Sequence, residues 1–314
     1  LSVALLWFAV TLSPISAAYP ERPITLIVTY PPGGTADLVA RLLAPEAGKD
    51  LGQNIVVENR GGAGGMIGGA LVAKAAPDGY TIMLDAANHA QNPAVQPKML
   101  FDTLKDFAPI VYVQRVPNIL VVRADNEMKT VADLIRLGKQ KDPLLYYASS
   151  GPGGAQHLAG EELQQLGQFK LTHVPYKGGG PAVPDLVSGN VDVGFLAVAT
   201  VASLVQSGKL KALGVSPAKS LALLAQVPPV GQSISGFDVE PWLALIAPAN
   251  LPKAVAEKLK IEVEAAIKNE SFQAFIQQQG SPMKVMTIDE LKRFFADESR
   301  KNGDLVRMSG AKLQ

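Results

Sequence analysis

Pro32-Gly33-Gly34-Thr35-Ala36-Asp37-Leu38 and Pro152-Gly153-Gly154-Ala155-Gln156-His157-Leu158 are the two stretches of this sequence whose residue types and spacing could do chemistry. They stand 120 positions apart, and each follows an apolar run and opens a segment of helical spacing. A Gly-Gly turn lets the backbone approach a ligand with no Cβ in the way. The first turn of the next helix offers unpaired N–H groups and about half a positive charge. Together they make an anion site that needs no cationic side chain. One such turn is weak evidence, because many strand-to-helix turns use glycine for geometry alone. Two in matching contexts predict a cleft lined from both sides.

Other chemistries lack their residues. Gly61-Gly62-Ala63-Gly64-Gly65 is out of phase for a dinucleotide fingerprint, because Ile67 holds the third glycine's place, and there is no phosphate-loop lysine motif. Neither Ser149 nor Ser150 sits in a nucleophile elbow. His89, His157 and His173 lie without metal-ligand spacing, and the absence of cysteine excludes thiolate catalysis, disulfides and Cys-ligated zinc. Lys plus Arg number 29 against 28 for Asp plus Glu, a net charge of +1 with no basic run, which gives no field for nucleic acid. The expectation is a binding protein, not an enzyme, with no catalytic residues, cofactor or metal.

The elements that must position the two turns alternate in type. Strand-like runs fall at 24–30, 55–58, 80–85, 119–123, 145–149, 171–175, 191–196, 211–216 and 239–247. Helical spacing falls at 35–51, 66–76, 130–140, 156–166, 181–187, 201–206, 252–267, 272–279 and 288–301. Pro45 should kink or end the first helix early, and Thr130 with Asp133 reads as a capping box. This order predicts an α/β fold with parallel sheets covered by helices on both faces. At 314 residues the chain can form two lobes. Residues 19–120 with 238–314 are expected in the first, and 121–237 in the second. Residues 1–18 read as a signal peptide: an apolar run to Leu12, then Ser13-Pro14, with Ser16 and Ala18 three and one positions before Tyr19. Export with cleavage near Ala18-Tyr19 follows from that reading.

Longer motifs surround the two turns. Tyr30-Pro31-Pro32-Gly33-Gly34-Thr35-Ala36-Asp37, Val57-Glu58-Asn59-Arg60-Gly61-Gly62-Ala63-Gly64-Gly65, Ala75-Ala76-Pro77-Asp78-Gly79-Tyr80-Thr81, His157-Leu158-Ala159-Gly160-Glu161 and His173-Val174-Pro175-Tyr176-Lys177-Gly178 come in order. From about Tyr19 onward the chain resembles the Bug receptors, the periplasmic binding proteins of tripartite tricarboxylate transporters. The resemblance implies a two-lobed type II periplasmic-binding-protein fold, each lobe a mainly parallel sheet flanked by helices, that closes like a clamp on a ligand in the cleft. It implies a periplasmic solute-binding receptor that captures a small carboxylate, such as a dicarboxylate or aromatic acid, and delivers it to the membrane subunits of a tripartite transporter. A monomer is expected. The alternative is a ligand-sensing subunit that presents the same ligand to a signalling partner.

Carried over by motif, the ligand-binding set is Gly33, Gly34, Thr35 and Asp37 from the first loop, and Ser149, Ser150, Gly153, Gly154 and His157 from the second, with Tyr176 beyond its strand. Leu196-Ala197-Val198 and Glu240-Pro241-Trp242 depart from the family's polar residues, so Leu196 and Trp242 are candidates for a distal, less polar pocket suited to an aromatic acid, with burial in the core as the competing reading. Asp37 would repel an anion and is expected to clamp its own loop by accepting backbone N–H bonds. Lys177 reads as a solvated charge, and Arg60 as a tie for its glycine-rich turn.

Overall fold

A computed structural model describes residues 19–96, 98–140, 144–151, 155–237, 239, 241–281 and 284–309. The predicted signal peptide lies outside them. The first sheet takes β1 (Ile24–Val28), β2 (Ile55–Asn59), β3 (Thr81–Ala86) and β4 (Phe107–Arg115), and gains a fifth strand, β10 (Trp242–Pro248), from late in the chain. Its order is β2-β1-β3-β10-β4. The second sheet takes β5 (Asn118–Arg123), β6 (Tyr146–Ser149), β7 (Thr172–Pro175), β8 (Val193–Ala197) and β9 (Leu210–Val215), in the order β7-β6-β8-β5-β9.

The two orders are the same. β1 pairs parallel with β2 and β3, as β6 does with β7 and β8. In each sheet one strand that has crossed from the other lobe, β10 or β5, lies antiparallel to both neighbours. Four strands therefore run one way and the crossing strand runs against them. The sheets are mainly parallel rather than parallel throughout, because a chain that leaves one lobe and returns must enter each sheet from the opposite end. The repeated glycine turn is thus the local sign of a repeated architecture. Thr35 begins α1 (Thr35–Leu51) after β1, and Ala155 begins α5 (Ala155–Gly167) after β6.

The first crossing is short. Val116 and Pro117 join β4 to β5, with the Val116 N–H donating to the Pro241 carbonyl of the return crossing at 2.7 Å. The change of sheet thus comes at 116–117, ahead of the division at residue 120 drawn from sequence, which falls inside β5.

Helices cover both faces of each sheet. One face of the first sheet, with Val28, Leu84 and Leu243, packs on α1, α8 (Lys253–Lys268) and α9 (Glu270–Gln278). The other, with Met83, Trp242 and Ala244, meets α2 (Met66–Ala73), α3 (Asn88–Val95) and α10 (Ile288–Ser309). In the second sheet α6 (Gly179–Ser188) and α7 (Val198–Gln206) cover the face of Ile119 and Leu196. There α4 (Val131–Gly138) and α5 cover the face of Leu120 and Phe195. The capping box forms as read: Asp133 N–H donates to Thr130 Oγ1 and the Thr130 N–H to the Asp133 carboxylate.

Pro45 does not end α1, which runs on to Leu51. Its missing N–H costs one bond, but Ala40, Leu43, Ala44, Ala47 and Leu51 bury a continuous stripe against the sheet and α8, and packing outweighs propensity. Two elements carried no legible signal: β4, whose alternation is interrupted by Pro109, and α3, a polar segment holding Pro93.

Candidate functional site

Gly33 and Gly34 sit exposed between the carboxyl end of β1 and the amino end of α1. Gly33 has φ +82°, a conformation that only glycine adopts cheaply. Gly34 is the N-cap of α1, extended at φ −83° and ψ 171°, and no side chain caps the helix. A 17-residue helix therefore presents its first N–H groups, and the positive end of its dipole, past a residue without a side chain. Thr35, the first helical residue, is half-buried.

Asp37 holds this loop in shape. Its Oδ2 accepts the Gly33 N–H at 2.9 Å, and its Oδ1 accepts Arg41 Nε and Asn59 Nδ2, each at 3.0 Å. Asn59 also donates to the Tyr30 carbonyl at 3.1 Å, tying β2 to the turn. Burial opposes ionisation of Asp37, but Arg41, the Gly33 N–H and Asn59 outweigh it and hold the carboxyl below its ordinary range. With its oxygens engaged by internal donors, Asp37 clamps the first loop.

The second loop is braced from beneath. Gly153 and Gly154 lie outside the described residues. Ser149, fully buried, hydrogen bonds His173 Nε2 at 2.7 Å and accepts the Gly151 N–H at 3.2 Å, so it braces the loop. Ser150 Oγ donates to Gln156 Oε1, and Gln156 Nε2 donates to Asn118 Oδ1 at 3.0 Å. This chain links the second loop to the first residue of the crossing strand β5, and sequence reasoning missed it; the only signal was a polar residue, Asn118, opening an apolar strand. The Gly178 N–H donates to the Ser150 carbonyl, and the Tyr176 N–H to that of Ser149. The Tyr176 hydroxyl is committed to Asp185 Oδ2 at 2.6 Å; burial and that carboxylate push it up to about 12.

His157 and His173 stack face to face, ring centroids 4.0 Å apart and 11° from parallel. Burial lowers both; His157 lowers His173 further, to about 4, while Glu161 partly opposes the shift of His157. Both rings resist protonation in the folded protein, whereas the unfolded chain takes up protons below about pH 6.5. Stability from this pair is therefore complete above about pH 6.5 and is lost as pH falls toward 4. Full conversion of the His173 shift would give ~3 kcal/mol; solvent screening of a partly exposed ring reduces that to roughly 1–2 kcal/mol. Melting temperature should drop about 2–3 °C between pH 7 and pH 4 from this source, and His173→Gln should flatten that part of the profile in a thermal-melt series.

Leu196 and Trp242 are packed into the cores of their lobes. Both are fully buried, Leu196 among Ile119, Leu186 and Val201, and Trp242 stacked on Phe295 at 4.7 Å with its Nε1 donating to Glu298. Strand alternation turns both into cores, the competing reading of the sequence. A cavity of about 200 Å³ is lined by Gln91 and Arg115 of the first lobe, Leu158 and Glu162 of α5, Pro241 of the return crossing and Lys301 of α10. Ala155, at the start of α5, packs into the first lobe's cluster around Trp242, so the second loop's helix docks across the cleft. Among the described residues no three His, Asp or Glu side chains are grouped to hold a metal ion.

Residues 39–311 match the profile of the tripartite tricarboxylate transporter family receptor. The chain belongs to this family. It is 33% identical over 306 residues to the protein BugT of Bordetella pertussis (strain Tohama I), covering 96% of this chain and 94% of that one. Among solved structures, the periplasmic binding protein BugD superposes with a TM-score of 0.84 at 32% identity, over 94% of this chain and 100% of that one. An R. palustris protein solved with adipate gives 0.86 at 30% identity, over 94% and 100%. MatC from Rhodopseudomonas palustris, solved with malate, gives 0.83 at 28%, over 92% and 100%. The family is one of periplasmic solute-binding receptors, and the two-sheet architecture of this member of the family is theirs. No helix among the described residues is long and apolar enough to cross a membrane.

Proposed function

We propose that this receptor, exported and trimmed near Ala18-Tyr19, closes its two lobes on a small carboxylate and delivers it to the membrane subunits of a tripartite transporter. The observation that carries the reading is the α1 terminus. An exposed helix end with a glycine N-cap, no capping side chain, and the Asp37 carboxylate of its first turn locked onto Gly33 and Arg41 is fitted to an anion. The relatives solved with adipate and malate support the same ligand class. The chain up to Val116 together with the chain from Trp242 onward forms one jaw, the segment between them forms the other, and the protein acts as a monomer.

Small carboxylic acids should raise the melting temperature while their amides do not. A micromolar ligand at 100 times its Kd adds about 2.7 kcal/mol of stability. Stabilisation by sugars or nucleotides, with every acid inactive, would overturn the reading. Lys177 is exposed and follows Tyr176 at the edge of the second loop. If backbone N–H groups hold the anion, Lys177→Ala should change the affinity less than threefold by calorimetry.

A further inference from the structure

Two faces of α5 are buried, and they belong to different lobes. Ala159 and Leu163 join the second lobe's own core with Tyr147 and Phe195. Ala155, Leu158 and Glu162, spaced three and four apart, form an adjacent stripe. Ala155 packs into the first lobe's cluster around Trp242, and Leu158 and Glu162 line the cavity of about 200 Å³. The first lobe's α10 packs against the same helix.

Glu162 is only 6% exposed. A carboxylate is costly to bury unless cations share its surroundings. Two do: Arg115, at the end of β4, and Lys301 of α10 line the same cavity, beside Glu298. All three come from the first lobe, and among the described residues lining the cavity Glu162 is the one charge that the second lobe supplies. The first-lobe side is held in place, since Tyr112 hydrogen bonds Arg115 and the Trp242 indole donates to Glu298 at 3.2 Å.

The stripe and the second loop move together. Ala155 opens α5, and Ser150 of the loop donates to Gln156 in the first helical turn. Where α5 docks on the first lobe therefore fixes where the second loop stands opposite the α1 terminus. Ala155 and Leu158 alone would tolerate sliding, because apolar contact is non-directional. A buried charge is matched in few positions, and so it sets register.

Resting on the two-lobed closure of the proposed function, we propose that Glu162 is a positioning residue. Its charge, matched across the lobe boundary by Arg115 and Lys301, sets the docked position of α5 and through it the affinity of the second loop. It acts through the helix and not by touching the ligand.

The sequence has no cysteine, so Ile261→Cys on α8 and Lys209→Cys, both at exposed positions, place one spin label on each lobe. Double electron–electron resonance then reads the lobe separation without ligand. The labelled protein should give one narrow distance. Arg115→Gln strands the Glu162 carboxylate, so the separation should lengthen and affinity for a stabilising acid should fall tenfold or more. Glu162→Gln alone should broaden the separation and weaken binding only about threefold, because a neutral amide is cheaper to bury than a lone carboxylate. With both changes the affinity should return to within twofold of Glu162→Gln alone. A double variant as weak as Arg115→Gln would overturn the proposal and assign Arg115 to the ligand itself. The same separation in all four proteins would overturn it too. Should Arg115→Gln fail to fold, Glu162→Gln decides alone, and an unchanged separation refutes the assignment. The separations need no ligand, so if no acid binds, the carboxylate reading falls while the docking claim is still decided.

Discussion

Gly34→Val should weaken carboxylate binding by tenfold or more and leave the fold intact. The backbone at Gly34 is extended, at φ −83°, which a β-branched residue accepts without strain. A Cβ there would meet only the Pro31 carbonyl oxygen, at an ordinary 3.7 Å. Losing glycine at an N-cap costs no more than about 1 kcal/mol of stability. What valine does bring is bulk directly in front of the uncapped N–H groups. Gly33 is a poorer probe: at φ +82° any side chain strains the turn itself, so weaker binding there would not separate ligand contact from loop damage. Titration calorimetry with a stabilising acid, beside circular dichroism and a thermal melt, reads the result. Unchanged affinity in a folded Gly34→Val protein would remove the α1 terminus from the site.

Trp242→Ala should be among the most destabilising single changes in the chain. The indole is fully buried, stacks on Phe295, meets Phe294 edge-on at 5.6 Å and donates to Glu298. Truncating a buried aromatic of this size costs about 3–5 kcal/mol, or roughly 5–8 °C in melting temperature for a protein of this length. Below its new melting temperature the variant should bind acids within threefold of wild type. A selective loss of aromatic acids, with stability kept, would return Trp242 to the pocket.

The sequence made the strand–helix order and the first loop legible because both rest on local chemistry. Glycines at 33 and 34 mark a turn that needs them, and Thr130 with Asp133 is satisfied within one helical turn. Asp37 was readable as a clamp from its sign alone, since a carboxylate at an anion site must be otherwise engaged. The core position of Trp242 was not, because a polar-to-aromatic departure has the same appearance in a pocket wall as in a core. Only the pairing with Phe295, 53 positions on by sequence number, decides it. Gln156 and Asn118 meet across 38 positions. The crossing strands β5 and β10 are antiparallel for a topological reason that no window of sequence contains.

The central claim, that backbone N–H groups at two helix starts hold the anion, is tested most directly by amide NMR. In a titration of uniformly nitrogen-15-labelled protein with a stabilising acid, the N–H signals of Gly34, Thr35 and Ala36 should move downfield together with those of Ala155 and Gln156. All should saturate at one ligand per chain. Signals that stay fixed at both helix starts, while the largest changes gather around Lys177 or Arg60, would contradict the account and assign recognition to a charged side chain.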